Sequence, residues 1–343
     1  MLQPPFDVPA STTPQGTAAA SSRISPLSRS TWPWVLLVIA LAVGLTFIIK
    51  GYQLFQATMV LSYAVALLGL NILTGYNGQI SLGHGAFFAL GAYTAAILME
   101  HAGFAYWASV PAAGVICLVV GYLFGRPALK LEGLYLALAT FSLAVAMPQL
   151  LKYKHLEPWT GGVQGIVLMK PDAPWGLALT PDQWLYLFSL AVTVVMFVLA
   201  HNLLESSSGR ALRAIRDHAM ASEAMGVDNR HYKSMAFGIS AAFTGVGGAL
   251  SAIAVQFVSP DSFTFFLSIT LLVGIVVGGV GSLWGAFFGA LFIMFVPTLA
   301  GNISKAAPWA VYGVVLIVFM FALPGGVIGL MSQIRGRLRA WKA

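Results

Sequence analysis

Three polar segments interrupt an otherwise apolar chain, and they hold the side chains able to do chemistry. The first, Gly75-Tyr-Asn-Gly-Gln-Ile-Ser-Leu-Gly-His-Gly-Ala-Phe-Phe-Ala-Leu-Gly-Ala-Tyr-Thr94, carries Gln79, Ser81 and His84 among Gly83, Gly85 and Gly91. An amide, a hydroxyl and an imidazole can hydrogen-bond a solute on a translocation path or a neighbouring helix, while the glycines allow backbones to approach closely. For His84 the packing role is the preferred one, because a lone histidine near a helix start is usually a satisfied interface residue. The second segment, residues 204–234, runs through Gly209-Arg-Ala-Leu-Arg-Ala-Ile-Arg216, Asp217 and Ala221-Ser-Glu-Ala-Met-Gly226. The third places Gly274, Gly278, Gly281, Gly285 and Gly289 at or near a four-residue spacing, which permits tight helix crossings in lipid.

Several chemistries have no carrier. The chain contains no Gly-Lys dipeptide and therefore no phosphate-cradling loop. It also lacks a His-Glu-x-x-His zinc site, a Gly-x-Ser-x-Gly nucleophile elbow and a pair of aspartates inside an apolar stretch. No catalytic residue, metal or bound cofactor is expected.

The elements that position these segments follow from composition. With 58% hydrophobic and 8% charged residues, the apolar surface exceeds what a soluble globule of 343 residues can bury. About 20 apolar residues cross a hydrocarbon core of about 30 Å. Uncharged windows of that kind run over 32–49, 54–74, 85–99, 105–124, 133–151, 184–203, 235–256, 265–279, 284–299 and 309–323. The expected fold is an all-α, polytopic transmembrane bundle of about ten spans, within a range of about eight to eleven. The third, eighth and tenth windows are short enough to be half-helices or re-entrant elements lining a cavity. The single cysteine, Cys117, falls inside the fourth window and reads as a small buried thiol, with no intrachain disulfide available.

Basic residues fix the expected orientation, since short cytoplasmic loops retain Lys and Arg. With the N-terminus inside, 13 of the 18 basic residues are cytoplasmic: Arg23, Arg29, Arg126, Lys130, Arg210, Arg213, Arg216, Arg230, Lys233, Arg335, Arg337, Arg339 and Lys342. Lys50, Lys152, Lys154, Lys170 and Lys305 fall outside. Both termini are then cytoplasmic. The net charge of +7 reflects loops facing anionic headgroups and gives no case for nucleic-acid binding.

Residues 1–31, rich in Pro, Ser, Thr and Ala, read as a disordered cytoplasmic tail, 32–323 as the membrane domain, and 324–343 as a basic cytoplasmic tail. The first apolar stretch is expected to stay uncleaved. In the 204–234 loop, Ser208 is a plausible N-cap, Leu212, Ile215 and Ala219 recur at helical spacing, and Gly226 is a natural stop. The expectation is one short amphipathic helix, with an interfacial helix resting on lipid as the alternative. The external loop 152–183 carries Trp159 and Trp175, with Trp184 just beyond it, suited to headgroup level. Ser282-Leu-Trp-Gly-Ala-Phe-Phe288 echoes Ser81-Leu-Gly-His-Gly-Ala-Phe-Phe88 with one residue deleted, either as a parallel internal repeat or by chance.

The 209–233 loop, the 75–94 stretch, Thr160-Gly161-Gly162 and Pro324-Gly-Gly-Val-Ile-Gly-Leu330 together resemble the branched-chain amino acid permease family of ABC importers, LivM-type permeases in particular, over about residues 50–331. Gly325 departs from the family pattern, which commonly has arginine after the proline. The resemblance implies a pore-forming inner-membrane subunit that binds no cofactor itself. Its implied partners are a second permease, a paralogue, two cytoplasmic ATPase subunits that use ATP, and an external solute-binding protein docking near 160–162. Residues Gly209, Arg210, Arg213, Arg216, Asp217, Glu223, Ala224 and Gly226 would form the ATPase-coupling loop. Branched-chain amino acids come first as solutes, with urea, amides or small organic acids as relatives. The competing class is an ion-coupled secondary transporter or channel for a small neutral solute, disfavoured because no window interior holds Asp, Glu, Lys or Arg.

Overall fold

A backbone surrounded by apolar side chains must satisfy its own N–H and C=O groups, and the helix does this within one segment. The computed structural model is accordingly helical almost throughout. It describes residues 32–49, 51–128, 131, 133–174, 179–303, 308–323 and 325–342. The 1–31 tail lies outside the described residues, as do Lys50, Lys130, Trp175, Lys305 and Pro324.

The described helices are α1 (Trp32–Ile48), α2 (Tyr52–Asn71), α3 (His84–Glu100), α4 (Tyr106–Ala128), α5 (Leu134–Leu151), α6 (Glu157–Thr160), α7 (Pro181–Glu205), α8 (Ser207–Asp217), α9 (Ala219–Ala224), α10 (Asn229–Val255), α11 (Phe265–Gly278), α12 (Leu283–Ile303), α13 (Pro308–Ala322) and α14 (Gly326–Lys342). Two short strands, β1 (Ile166–Val167) and β2 (Phe257–Val258), pair antiparallel with Ile166 opposite Val258. The chain divides into two compact units, Met1–Ala40 and Leu41–Ala343. The described part of the first is the opening half of α1; the site and core below belong to the second.

Each of the ten apolar windows is a helix. Among the described residues six stretches are long and apolar enough to cross a membrane: Tyr52–Tyr76, Tyr106–Pro127, Leu134–Leu151, Pro181–Glu205, Asn229–Val255 and Leu283–Asn302. At about 1.5 Å per residue, the 14 residues of α11 reach about 21 Å, short of a hydrocarbon core. The 3-10 turn before it, Pro260–Phe263, packs Phe263 against Phe88 and Tyr93 of α3.

Helices α2 and α10 form the centre, each 83% buried over its most apolar stretch, against 33–39% for the corresponding parts of α4, α5, α7 and α12. Small residues on α10 make this possible. A side chain at Gly247 would meet the Ser62 carbonyl and Ala66 of α2, one at Gly238 would meet Tyr122 of α4, and one at Gly245 would meet Cys117. Cys117 is fully buried, as its position in the fourth window suggested. The outer faces of α4, α5 and α7 carry exposed Val115, Leu123, Leu138 and Leu199, as lipid-facing helices should.

Candidate functional site

The site forms where two helix breaks meet. After α2 the chain widens into a π-helical turn, Ile72–Tyr76, then runs irregularly to His84. After α11 it is irregular again through Gly279, Gly281 and Ser282, with Gly279 at φ +121° and Gly281 at φ +79°. Asn71 clamps the two breaks together: its Nδ2 donates to the Ser282 carbonyl at 2.7 Å and its Oδ1 accepts from the Gly281 amide at 2.9 Å. Both Ser81–Phe88 and Ser282–Phe288 thus open a helix at a break. Phe87 and Phe88 are buried, whereas Phe287 and Phe288 are only half-buried.

His84 is fully buried at the start of α3, and its hydrogen bonds determine its form. The Ser240 hydroxyl donates to the Gly69 carbonyl at 2.6 Å, so toward His84 Nε2, 2.5 Å away, its oxygen must accept. Nε2 therefore carries the proton. Nδ1, 3.0 Å from Ser81 Oγ, accepts the Ser81 hydroxyl, and Ser81 Oγ in turn accepts from the Gly83 amide at 3.3 Å. The result is a neutral imidazole with both nitrogens satisfied, linking α3, α10 and α2. Gly85 donates its amide to Ser268 Oγ at 2.9 Å, and Leu82 donates to Thr140 Oγ1 at 3.0 Å. Side chains at Gly83 and Gly85 would collide with the Thr140 carbonyl and Ser268.

Gly274, Gly278, Gly285 and Gly289 lie together where α11 meets α12. A side chain on Gly278 would meet Gly285 and Gly289, and one on Gly289 would meet the backbone of Gly274, so α11 and α12 cross in backbone contact. Gly281 serves differently, giving the break its left-handed turn.

The 204–234 loop departs from the single helix expected. Ser206, two residues before Ser208, is the N-cap, its Oγ accepting from the Gly209 amide at 3.4 Å. Ser206 is extended at φ −71°, ψ 175°, and so suited to capping, whereas Ser208 lies within α8. The helix also breaks at His218, extended at φ −159°, ψ 93°, and resumes as α9. Gly226, left-handed at φ +86°, ends the segment as expected. Leu212 and Ile215 are buried, seating α8 against α7, α10 and the π-helical turn.

The charged residues of this loop serve largely to hold it. Arg210 and Arg213 donate to the Glu205 and Leu204 carbonyls at 3.1 and 3.0 Å. Arg216 Nη1 donates to the Gly75 carbonyl at 2.9 Å, and its guanidinium pairs with Asp217. Glu223 and Ala224 are exposed. Beside them Met220 and Met225 are 80% and 85% exposed, an apolar surface that residue-by-residue reading of the loop missed.

At the opposite end, Thr160 Oγ1 donates to the Leu151 carbonyl at 2.8 Å and caps the turn through Gly161 and Gly162, both left-handed. Lys152 pairs with Asp261 at 2.5 Å, and Lys170 pairs with Asp182. Among the described residues no Asp, Glu, Lys or Arg is buried. Asn71, Ser240, Ser268 and Thr140 were not expected at the site. They lie within or at the ends of apolar windows, and no local pattern distinguishes them from other small polar residues of helices.

Apolar helices of spanning length, broken helices packed through glycine and an amphipathic helix pair seated on one break define an integral membrane permease. The chain belongs to the family described as branched-chain amino acid transport system / permease component, whose profile matches residues 52–323. It is 32% identical over 318 residues to the high-affinity branched-chain amino acid transport system permease protein LivM of Escherichia coli (strain K12), covering 86% of this chain and 74% of that protein. Identity to the LivM protein of Salmonella typhimurium is 31%, with the same coverage. To the LivH permease protein of E. coli it is 23% over 300 residues, covering 81% of this chain and 94% of that protein. No solved structure matches the chain at a significant level.

Proposed function

We propose that this chain is the pore-forming permease of an ATP-driven importer in the inner membrane that takes up branched-chain amino acids or a related small solute. The observation that carries the reading is the seating of α8 on the broken end of α2, where Arg216 holds the Gly75 carbonyl at 2.9 Å. A displacement of α8 is thereby delivered to irregular backbone inside the bundle. Such backbone is tolerated at membrane depth where it is buried in protein or lines a wet cavity.

In this reading both termini and the 204–234 loop are cytoplasmic, and all ten apolar helices contribute to the membrane domain, some as half-helices like α11. Residues 1–31 and 324–343 are its cytoplasmic tails. One of the two ATPase subunits docks on α8 and α9, where exposed Met220 and Met225 flank Glu223 and Ala224. ATP is used by those subunits, and this chain binds no cofactor. A second permease, a paralogue, completes the pore, and a solute-binding protein docks near Thr160–Gly162. The absence of buried charge among the described residues favours a solute with a sizeable apolar part and disfavours a proton-coupled carrier.

The test is reconstitution in liposomes with the partner permease, ATPases and binding protein, measuring ATP-dependent uptake of labelled leucine with and without Arg213→Glu. Uptake that requires ATP and binding protein, and falls with ATPase association in the variant, is expected. Ion-driven uptake by this chain alone would overturn the reading.

A further inference from the structure

The end of α2, the break between α11 and α12 and the start of α14 meet in backbone contact. A side chain at Gly75 would strike the Gly281 backbone and Asn71 itself, and one at left-handed Gly326 would strike Gly279. Arg216 of α8 holds the first break through the Gly75 carbonyl at 2.9 Å. Asn71, 1% exposed, belongs to that first break and turns both polar atoms of its carboxamide to the second, accepting from the Gly281 amide and donating to the Ser282 carbonyl. Between packed helices, parting the breaks would leave the Gly281 amide and both ends of the carboxamide unpaired at once. Moving them together keeps every bond and is the lower-energy motion.

The half-helix α11 can carry such a motion onward. It ends at Gly278 against Gly285 and Gly289 of α12, and its Ser268 hydroxyl accepts from the Gly85 amide at the start of α3. At its other end the Pro260–Phe263 turn sets Phe263 on Phe88 and Tyr93, and Asp261 on Lys152. A helix is a rigid element, so movement of one end reaches the other. We propose that Asn71 is a positioning residue that makes the two breaks one joint, so that a displacement of α8 is carried into α11 and on to the Pro260–Phe263 turn. The joint rests on the reading that ATPase subunits move α8, and it goes beyond that reading in assigning the route of the movement to one side chain.

The test places spin labels on cysteines introduced at exposed positions of the complete complex in lipid nanodiscs. Ser207→Cys with Leu123→Cys reads α8 against α4, and Leu138→Cys with Ile269→Cys reads α11 against α5. Cys117, fully buried, stays unlabelled. ATP is expected to change both distances in the parent chain. In Asn71→Leu the α8 distance should still change while the α11 distance stays fixed, and leucine imported per ATP hydrolysed in liposomes should fall about tenfold. A merely structural asparagine would lower uptake and hydrolysis together and leave that ratio unchanged. Asn71→Ser, whose hydroxyl is too short to reach both groups of the second break, should uncouple in the same way and keeps the test decisive if the leucine variant fails to assemble. An α11 distance that follows ATP in the variants as in the parent chain, or an unchanged ratio, overturns the joint and leaves the importer standing. A parent chain in which ATP moves α8 but not α11 does the same. ATP that moves neither pair, with no ATP-dependent uptake, removes the importer and the joint with it.

Discussion

Arg216 reaches across 141 residues of sequence to donate to the Gly75 carbonyl at 2.9 Å, while Asp217 holds the same guanidinium at 2.8 Å. The contact joins a surface helix to the broken end of the most buried helix pair. A hydrogen bond from a charged donor is worth about 1.5–3 kcal/mol when protected, and less here because Arg216 is partly exposed. Arg216→Ala is expected to lower leucine uptake about tenfold while ATP hydrolysis by the assembled complex persists. Equal loss of uptake and hydrolysis would instead mean that α8 no longer docks.

His84→Ala breaks the run of hydrogen bonds from Ser81 through Ser240 to Gly69 and empties an imidazole's volume. Interhelical bonds in membranes average about 0.6 kcal/mol, and an added cavity raises the total to about 2–3 kcal/mol. His84→Gln, which restores one donor and one acceptor, should lose less than half as much. Denaturant titration in detergent micelles measures this. A raised KM for uptake with unchanged stability would show that His84 contacts solute.

Two glycines of α12 should behave oppositely. Gly289→Ala drives a methyl into the Gly274 backbone and is expected to destabilise by about 1–3 kcal/mol. Gly301→Ala has nothing within 4 Å and improves helix propensity, so it should be neutral or stabilising by up to about 1 kcal/mol. Equal melting temperatures for the two variants would refute the close crossing of α11 and α12.

Gln256 caps α10 at φ +64°, the one non-glycine left-handed residue among those described, and its carbonyl accepts from Leu168 at 2.8 Å. A left-handed side-chain residue carries about 1–2 kcal/mol of strain, partly offset in glycine by greater freedom when unfolded. Gln256→Gly should raise stability by about 0.5–1 kcal/mol and keep the β1–β2 pairing. A lower melting temperature would mean that the glutamine side chain holds this turn by a contact of its own.

The apolar windows, the polar stretch after α2, the amphipathic 204–234 loop and the glycine spacing at 274–289 were all legible in the sequence. Each is a local property, a run or a period that one segment must satisfy by itself. The cap at Ser206 instead of Ser208 and the break at His218 escaped because neighbouring serines are equivalent caps until packing of Leu212 and Ile215 selects the register. Asn71 and Ser240 escaped for a stronger reason. In a chain so apolar, small polar residues are everywhere, and which of them finds a partner depends on helices that meet from far apart in sequence. The amino-acid sequence by itself determined that this chain is a helical membrane bundle with a charged, amphipathic 204–234 loop, because transfer free energy acts residue by residue. Only the tertiary structure decided that the two helix breaks are clamped together by Asn71, that His84 is neutral and fully bonded, and that Arg216 ties the loop to Gly75, because a hydrogen bond needs both partners in place.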